Sequence, residues 1–521
     1  PRQVMENAKK SLAFVIVFVN GDGCPSIMDP GKRMSGEEIN RAQQRIYDQT
    51  CRTQTELMMG TLRAYGQDVV GPAHSFQYLL NDSGEMNIRG LRVFVQYWKD
   101  EATATGQKNN KEYMPAFMFV FPRRHEKLYA CVKYMCDIEL GVISQVILKR
   151  TFDKFTGNPV SNSSSQNILL KMLAKAGGVT CKIDGNHFKN VAKMTNPEEP
   201  TLVLGIDVSH PSREERMGAL QKMGKTPEAA REQNMKRGRH EQLPTARPAA
   251  SNLFKGFSYY DCPRSVVAVV GNIDVDQTKW GVSSRVQRLG QEETVNLVEP
   301  FKARIDEFYK KTGKVPKHFI IYRDGVSDTQ FKKACYEETE ALERAIESFS
   351  INREDVTMTY ICAKKRHHTR FFAANMSKAL DVKKQPGGNT PPGLLIEKTI
   401  TSRNTFDFFL QSHYGNLGTA SPTHYTVLKD DWKPSVSFWQ TVVFAHCFGN
   451  SRCPKPLSIP IPLHYAHHAA KRAKNNFDHF RDHAAPEDYF RSTEDLAREQ
   501  MEHEAVTIHR NLKEIDSMYF A

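Results

Sequence analysis

No stretch of this sequence holds the roughly 20 consecutive apolar residues that a membrane-crossing helix requires. Leu12 to Val19 is too short for that role and reads as a strand. No signal peptide is expected at the start of the sequence. The ten cysteines are scattered, none forms a C-x-x-C pair, and no zinc-finger or zinc-ribbon spacing occurs. A disulfide framework and a structural zinc module are therefore not expected, and a reducing intracellular setting is. The sequence starts at Pro1 without a Met, which leads us to expect a piece of a longer protein whose N-terminal part is left out. Acidic residues are in short supply as well. With 59 Asp and Glu against 72 Lys and Arg, the net charge is +13, which points to a polyanionic partner such as nucleic acid.

What is present is organised around two segments of one design. Thr201 to Ile206 is an apolar, β-branched run that ends in a carboxylate, Asp207; Lys317-His-Phe-Ile-Ile-Tyr-Arg runs into Asp324 and Gly325. A single Asp at a strand end is as readily a structural turn as a site. Two such strands predict a sheet on which the carboxylates converge. Paired carboxylates in a low-dielectric site repel and require a compensating cation. A hard divalent ion such as Mg²⁺ meets that need, and paired ions serve phosphodiester displacement.

The 521 residues are enough for two to four domains. Residues 1–200 read as alternating strands and helices: strands at 11–20, 93–98 and 114–121, a helix-like stretch at 36–62, and a polar loop at 103–112. That alternation predicts an α/β layer with a parallel sheet. The Pro- and Glu-rich Asn196 to Pro200 marks a boundary, dividing the chain into 1–195 and 196–521. The second part predicts strands at 201–206, 265–275, 280–289, 317–324 and 356–363, with helices at 298–311 and 329–348. Residues 212–250, charged, rich in Pro and Arg and devoid of aromatics, read as a mobile surface insertion.

The motifs GIDVSHP, IIYRDGVS, KKRHHTRFF, SHYGNLGTASPTHY, LSIPIPLHYAHHAAKRAK and the terminal SMYFA, in that order, resemble the PIWI half of eukaryotic Argonautes. LYACVKY, GVISQV and NILLKMLAKAGG before them resemble the MID domain. The likeness spans roughly residues 115–521, and departures such as Ser421, His464 and Val146 resemble a divergent, nematode-type branch. The resemblance implies an α/β chain: a Rossmann-like MID domain that seats the 5′ end of a guide RNA, then an RNase H-like PIWI domain that cuts the paired target. It implies a catalytic set of Asp207, Glu292 (with Glu293 adjacent), Asp324 and His467. Asp207, Asp324 and His467 would hold Mg²⁺ or Mn²⁺, and Glu292 would orient the attacking water.

The same likeness assigns Tyr129, Lys133, Gln145, Lys171, Lys175 and Arg472 to the guide 5′ end, where Tyr129 would stack on the first base. Lys171 and Lys175, four apart on a helix, share a face, although a solvated helix face would show that spacing too. Lys365, Arg366, His413, Arg452 and Ser458 are assigned to the guide backbone; ordinary surface charge is the plain alternative for each. The implied partners are a small guide RNA with a 5′ phosphate or triphosphate, a complementary target RNA and silencing scaffold proteins, with no membrane. The implied location is cytoplasmic, with RNA granules and the nucleus as further places. Two rival readings stand beside guided endonuclease cleavage. One is a non-cutting guide-RNA binder that recruits partners. The other is a zinc hydrolase on His464, His467 and His468, or on His479 and His483, which lacks a companion Glu at a metalloprotease spacing.

Overall fold

The computed structural model describes residues 11–20, 56, 69–79, 88–109, 112–153, 163–185, 188–212, 214–217, 263–288, 297–375, 388–415, 418–484 and 495–521. Four strands, β1 (Ser11–Asn20), β2 (Val69–Leu79), β3 (Tyr113–Phe121) and β4 (Ile143–Leu148), form a sheet in the order β2-β1-β3-β4. Every pairing in it is parallel. Parallel sheets are stable when both faces are covered, and β3 shows this directly. Phe117, Phe119 and Phe121 pack on one face with Leu91 and Val95 of α1 (Ile88–Asn109). Ala116, Met118 and Val120 pack on the other with Ile168, Leu169 and Met172 of α3 (Ser163–Lys175). Between them α2 (Glu126–Tyr134) precedes β4. This is the expected Rossmann-like layer.

Two expectations fail here. Residues 93–98, expected as a strand, lie inside α1, and the expected loop at 103–112 is helical as far as Asn109. The run is rich in β-branched and aromatic residues, but its burial follows a helix: Leu91, Val95 and Ala102 are buried, whereas Val93 and Tyr97 are 69% and 54% exposed. The 3.6-residue period outweighed local strand preference. The stretch at 36–62, Glu56 apart, and the insertion from 218 to 250 lie outside the described residues.

Among the described residues, all strands after residue 200 join a second, eight-stranded sheet, in the order β10-β11-β12-β9-β8-β5-β6-β7. Its centre is β5 (Thr201–Ser209), β6 (Arg264–Asn272), β7 (Trp280–Arg288), β8 (His318–Asp324) and β9 (Thr357–Lys364). β5, β6 and β7 are antiparallel neighbours, and β8 and β9 add in parallel on the other side of β5. That is the RNase H-like arrangement. Helices α4 (Val298–Thr312) and α5 (Phe331–Glu347) cover one face through Phe301, Ile305, Leu342 and Ile346. Three strands that were not anticipated, β10 (Leu394–Ile396), β11 (Phe406–Gln411) and β12 (Thr423–Asp430), extend the sheet in antiparallel fashion.

On the opposite face lies α6 (Ile461–His479), whose Leu463, Ala466, Ala469 and Ala470 are fully buried or nearly so. Small side chains let this helix approach β5 closely, and Gly205 sets the limit. A Cβ at Gly205 would fall 2.3 Å from the main-chain carbonyl of Pro462, a group that cannot rotate aside. Gly205→Ala is therefore expected to push the start of α6 off the sheet and lower stability by about 1–3 kcal/mol, the range for overpacking. Urea unfolding would measure this, and an unchanged midpoint would contradict the contact. Among the described residues no helix is long and apolar enough to cross a membrane.

Candidate functional site

Parallel pairing of β5 and β8 has a direct chemical result. Ile206 is in register with Arg323, so the next residue of each strand, Asp207 and Asp324, lies toward the same end of the sheet, each still paired to its other neighbour. Asp207 is 9% exposed. The close approach of α6 at Gly205 brings His467 over this end, with Nδ1 3.0 Å from Asp207 Oδ2. Asp324 Oδ1 accepts from the Gly325 amide at 2.7 Å.

Burial, followed by the charge of Asp207, pushes the Asp324 carboxyl above its ordinary range. His467 is also pulled up, first by its hydrogen bond to Asp207, with burial opposing and the fields of both carboxylates adding. Two carboxylates that disfavour each other and an imidazole drawn toward the cationic form describe a site in want of positive charge. The donors, two carboxylates and one imidazole, are chemically suited to Mg²⁺ or Mn²⁺. Among the described residues, however, no group of three such side chains is disposed to hold a metal ion; Asp207 and His467 close on each other instead. Glu292 lies outside the described residues.

A second cluster is cationic and buried. Lys133 of α2 donates to the Ser144 carbonyl at 2.7 Å and hydroxyl at 2.6 Å. Lys175 of α3 donates to the same carbonyl at 3.0 Å and to Gln145 Oε1 at 2.8 Å. Arg472, reaching in from α6, donates to Asp137 at 2.7 Å and to the Tyr129 hydroxyl at 2.9 Å, its guanidinium 5.6 Å from the Tyr129 ring centre. Lys133 and Lys175 are 1% and 3% exposed. Their ammonium groups meet neutral oxygens, and Asp137 is engaged by Arg472.

Burial, then Arg472, brings Lys133 down to about 7. Burial, then Lys133, holds Lys175 well below its ordinary value. Lys171, more open, is brought to about 8 by burial and then Arg452. An excess of buried cationic groups around one carboxylate is an anion socket. The structure brings Tyr129, Lys133, Gln145, Lys175 and Arg472 together, with Lys171 beside Arg452. Ser144 and Asp137 belong to the cluster and were missed: neither sits in a spacing that marks it, and their roles arise from side chains far along the chain.

Of the backbone-assigned residues, Lys365 donates to Ser458 Oγ at 2.7 Å, and His413 lies near Lys365. Burial, with Lys365 second, brings His413 down to about 4. Arg366 is exposed. Arg452 faces Lys171, Arg472 and the histidines of α6 instead, and its buried Nε has no hydrogen-bond partner. The zinc reading finds no support among the described residues, where neither His464, His467 and His468 nor His479 and His483 belong to a group of three or more side chains disposed to hold a metal ion; burial, then Arg452, brings His464 to about 3 and His468 to about 2.

Comparison with known proteins agrees with this geometry. The Piwi domain family matches residues 116–478, more than half of the chain. The chain is 33% identical over 408 residues to Piwi-like protein ergo-1 of Caenorhabditis elegans, covering 75% of this chain and 32% of that protein. It is 31% identical over 356 residues to Protein argonaute 7 of Arabidopsis thaliana, covering 68% of this chain and 30% of that protein. It thus spans about a third of the length of these relatives.

In fold it is similar to Kluyveromyces polysporus Argonaute with a guide RNA (TM-score 0.68, 19% identity, 98% of this chain and 51% of that one). It is also similar to the MID-PIWI domains of N. crassa QDE-2 AGO (TM-score 0.55, 16% identity, 99% of each). The chain belongs to the Argonaute family, of which it carries the MID and RNase H-like PIWI portion.

Proposed function

We propose that this chain seats the 5′ end of a small guide RNA in the Lys133–Lys175–Arg472 socket and cuts RNA paired to that guide at the Asp207–Asp324 end of the second sheet. In this reading residues 1–195 chiefly hold the guide and residues 196–521 cut, with Arg472 crossing between the two. One observation supports the proposal most: His467 of α6 contacts Asp207 of β5 beside the in-register end of β8 that carries Asp324. The solved Argonaute similar in fold holds a guide RNA, in keeping with an anion socket at the first sheet.

Asp207, Asp324 and His467 would hold Mg²⁺ or Mn²⁺, which when bound stabilises negative charge developing on phosphate oxygens. The chain's own part is to present two ionised carboxylates and a neutral imidazole, to exclude bulk water by the packing of α6 on β5, and to bring Glu292 to the attacking water. Base pairing supplies sequence choice, and Lys365, Ser458 and His413 position the backbone without reading it.

The second reading, guide binding without cutting, is favoured by the direct closure of Asp207 on His467. One experiment separates them. The guide-loaded protein is given a labelled complementary RNA with Mg²⁺ or with EDTA. Cleavage is expected with Mg²⁺ alone, leaving 3′-hydroxyl and 5′-phosphate ends; an intact target under both conditions would leave the binding-only reading.

The pH dependence follows from the carboxylate site. A ligating imidazole must be neutral and Asp324 must be ionised. With both groups raised, Mn²⁺ affinity should climb as pH rises through the His467 value, at a midpoint above the ordinary 6.5. The stability that the Asp207–His467 pair contributes runs the opposite way. It is complete below the unfolded histidine value and lost as pH climbs through the folded one. Titrating Mn²⁺ between pH 5.5 and pH 8.5 checks the direction, and a flat profile would remove His467 from the ligand set.

A further inference from the structure

Directly behind Asp324 lies a buried ion pair that the proposed chemistry does not use. In β8 side chains alternate between faces, so Arg323 points away from Asp324 into the layer where Phe319 and Ile321 pack against α4 and α5. In that apolar layer Arg323 Nε donates to Glu338 Oε1 of α5 at 2.8 Å, and the Tyr360 hydroxyl of β9 donates to Glu338 Oε2 at 2.7 Å. Arg323, Glu338 and Tyr360 are 2%, 1% and 0% exposed. A buried pair of this kind contributes little to stability, and well-packed apolar residues often serve as well or better. The arrangement therefore calls for another reason.

The geometry supplies one. Arg323 also donates through a second nitrogen to the main-chain carbonyl of Asp324, while the Gly325 amide, at φ +82°, holds the Asp324 carboxylate from the other side. Asp324 is thus gripped at both ends of its residue. The guanidinium doing so is near enough to Asp207 and Asp324 for each carboxylate to feel its charge.

We propose that Arg323, Glu338 and Tyr360 form a positioning network for the metal-binding carboxylates. Glu338, oriented by Tyr360, aims Arg323, which fixes the Asp324 main chain and places a permanent positive charge behind the carboxylate pair. The inference rests on the cutting-site reading above and extends it to residues that touch neither RNA nor metal. Outer partners of metal ligands typically change affinity by about 10–100-fold when altered.

The test is Mn²⁺ binding to the guide-loaded protein, read by electron paramagnetic resonance of the free ion and counted as the binding that Asp207→Ala removes. Glu338→Gln keeps the shape and removes the charge. It should weaken that binding by about 10-fold or more while guide affinity stays close to wild type; the melting temperature should fall, because Arg323 is left buried without its countercharge. Tyr360→Phe, which keeps the buried ring, should give a smaller loss in the same direction. Wild-type Mn²⁺ affinity in folded Glu338→Gln and Tyr360→Phe proteins would overturn the proposal. Should Glu338→Gln fail to fold, Tyr360→Phe decides alone by the same comparison. A wild-type protein that binds Mn²⁺ at Asp207 and does not cut overturns the cutting reading only; one that binds none there overturns both.

Discussion

Replacing Asp207 with alanine is expected to abolish Mg²⁺-dependent cleavage of a guide-complementary RNA while leaving guide affinity within about twofold. Asp207 lies on the strand shared by both halves of the site: it is next to Asp324 across the sheet and in contact with His467. Losing it removes one carboxylate ligand and the partner that orients the imidazole. Metal ions supply several kcal/mol of charge stabilisation in such displacements. At 1.36 kcal/mol for each tenfold in rate, the cleavage loss should be about a thousandfold or greater. The expectation for stability differs. Removing one of two mutually repelling carboxylates relieves Asp324, and the lost contact to His467 is partly exposed. The melting temperature should hold or rise, as is common where function has placed like charges together. Single-turnover cleavage, guide anisotropy and thermal unfolding on one preparation test all three statements. Full residual cutting would dismiss the assignment.

The second large effect belongs to the socket. Substituting both Lys171 and Lys175 with alanine should weaken a 5′-phosphorylated guide by about a hundredfold, because charge-assisted hydrogen bonds to a phosphate are the strong ones. A 5′-hydroxyl guide should lose only a few-fold. Most of the difference is expected from Lys175, which is buried among Ser144, Gln145 and Lys133, rather than from the more open Lys171. The depressed values add a pH signature. Lys133 near 7 and Lys171 near 8 are charged at low pH and lose their protons as pH rises. The preference for a 5′ phosphate should therefore fade between about pH 7 and pH 9, and binding at neutral pH should take up protons. Anisotropy with the two guides across that range measures it. Equal losses for both guides in the double variant would remove the phosphate assignment.

The two sites were legible to different degrees for physical reasons. Asp207 and Asp324 stood out because each ends a buried run, and the parallel register then placed them together. His467 and Arg472 came only from family likeness. Nothing in HYAHHAAKR itself tells which histidine faces the sheet, because that is decided by the closeness of α6 to β5 at Gly205. Asp137 and Ser144 were invisible, since their partners lie on other elements. In α1, Val93, Phe94, Val95, Tyr97 and Trp98 carried a strand-like composition on a helical burial period. The strands β10 to β12 lie among loops at the sheet's far edge, with no long apolar run to announce them.

One consequence follows from α6. It carries His467 at the carboxylates and, five residues on, Arg472 at the socket. A helix advances about 1.5 Å and turns about 100° per residue, so a single residue inserted between these two would swing Arg472 away from Asp137 and Tyr129. The grip on one end of a strand and the place of scission along its partner share a common axle, and neither can be retuned without turning the other.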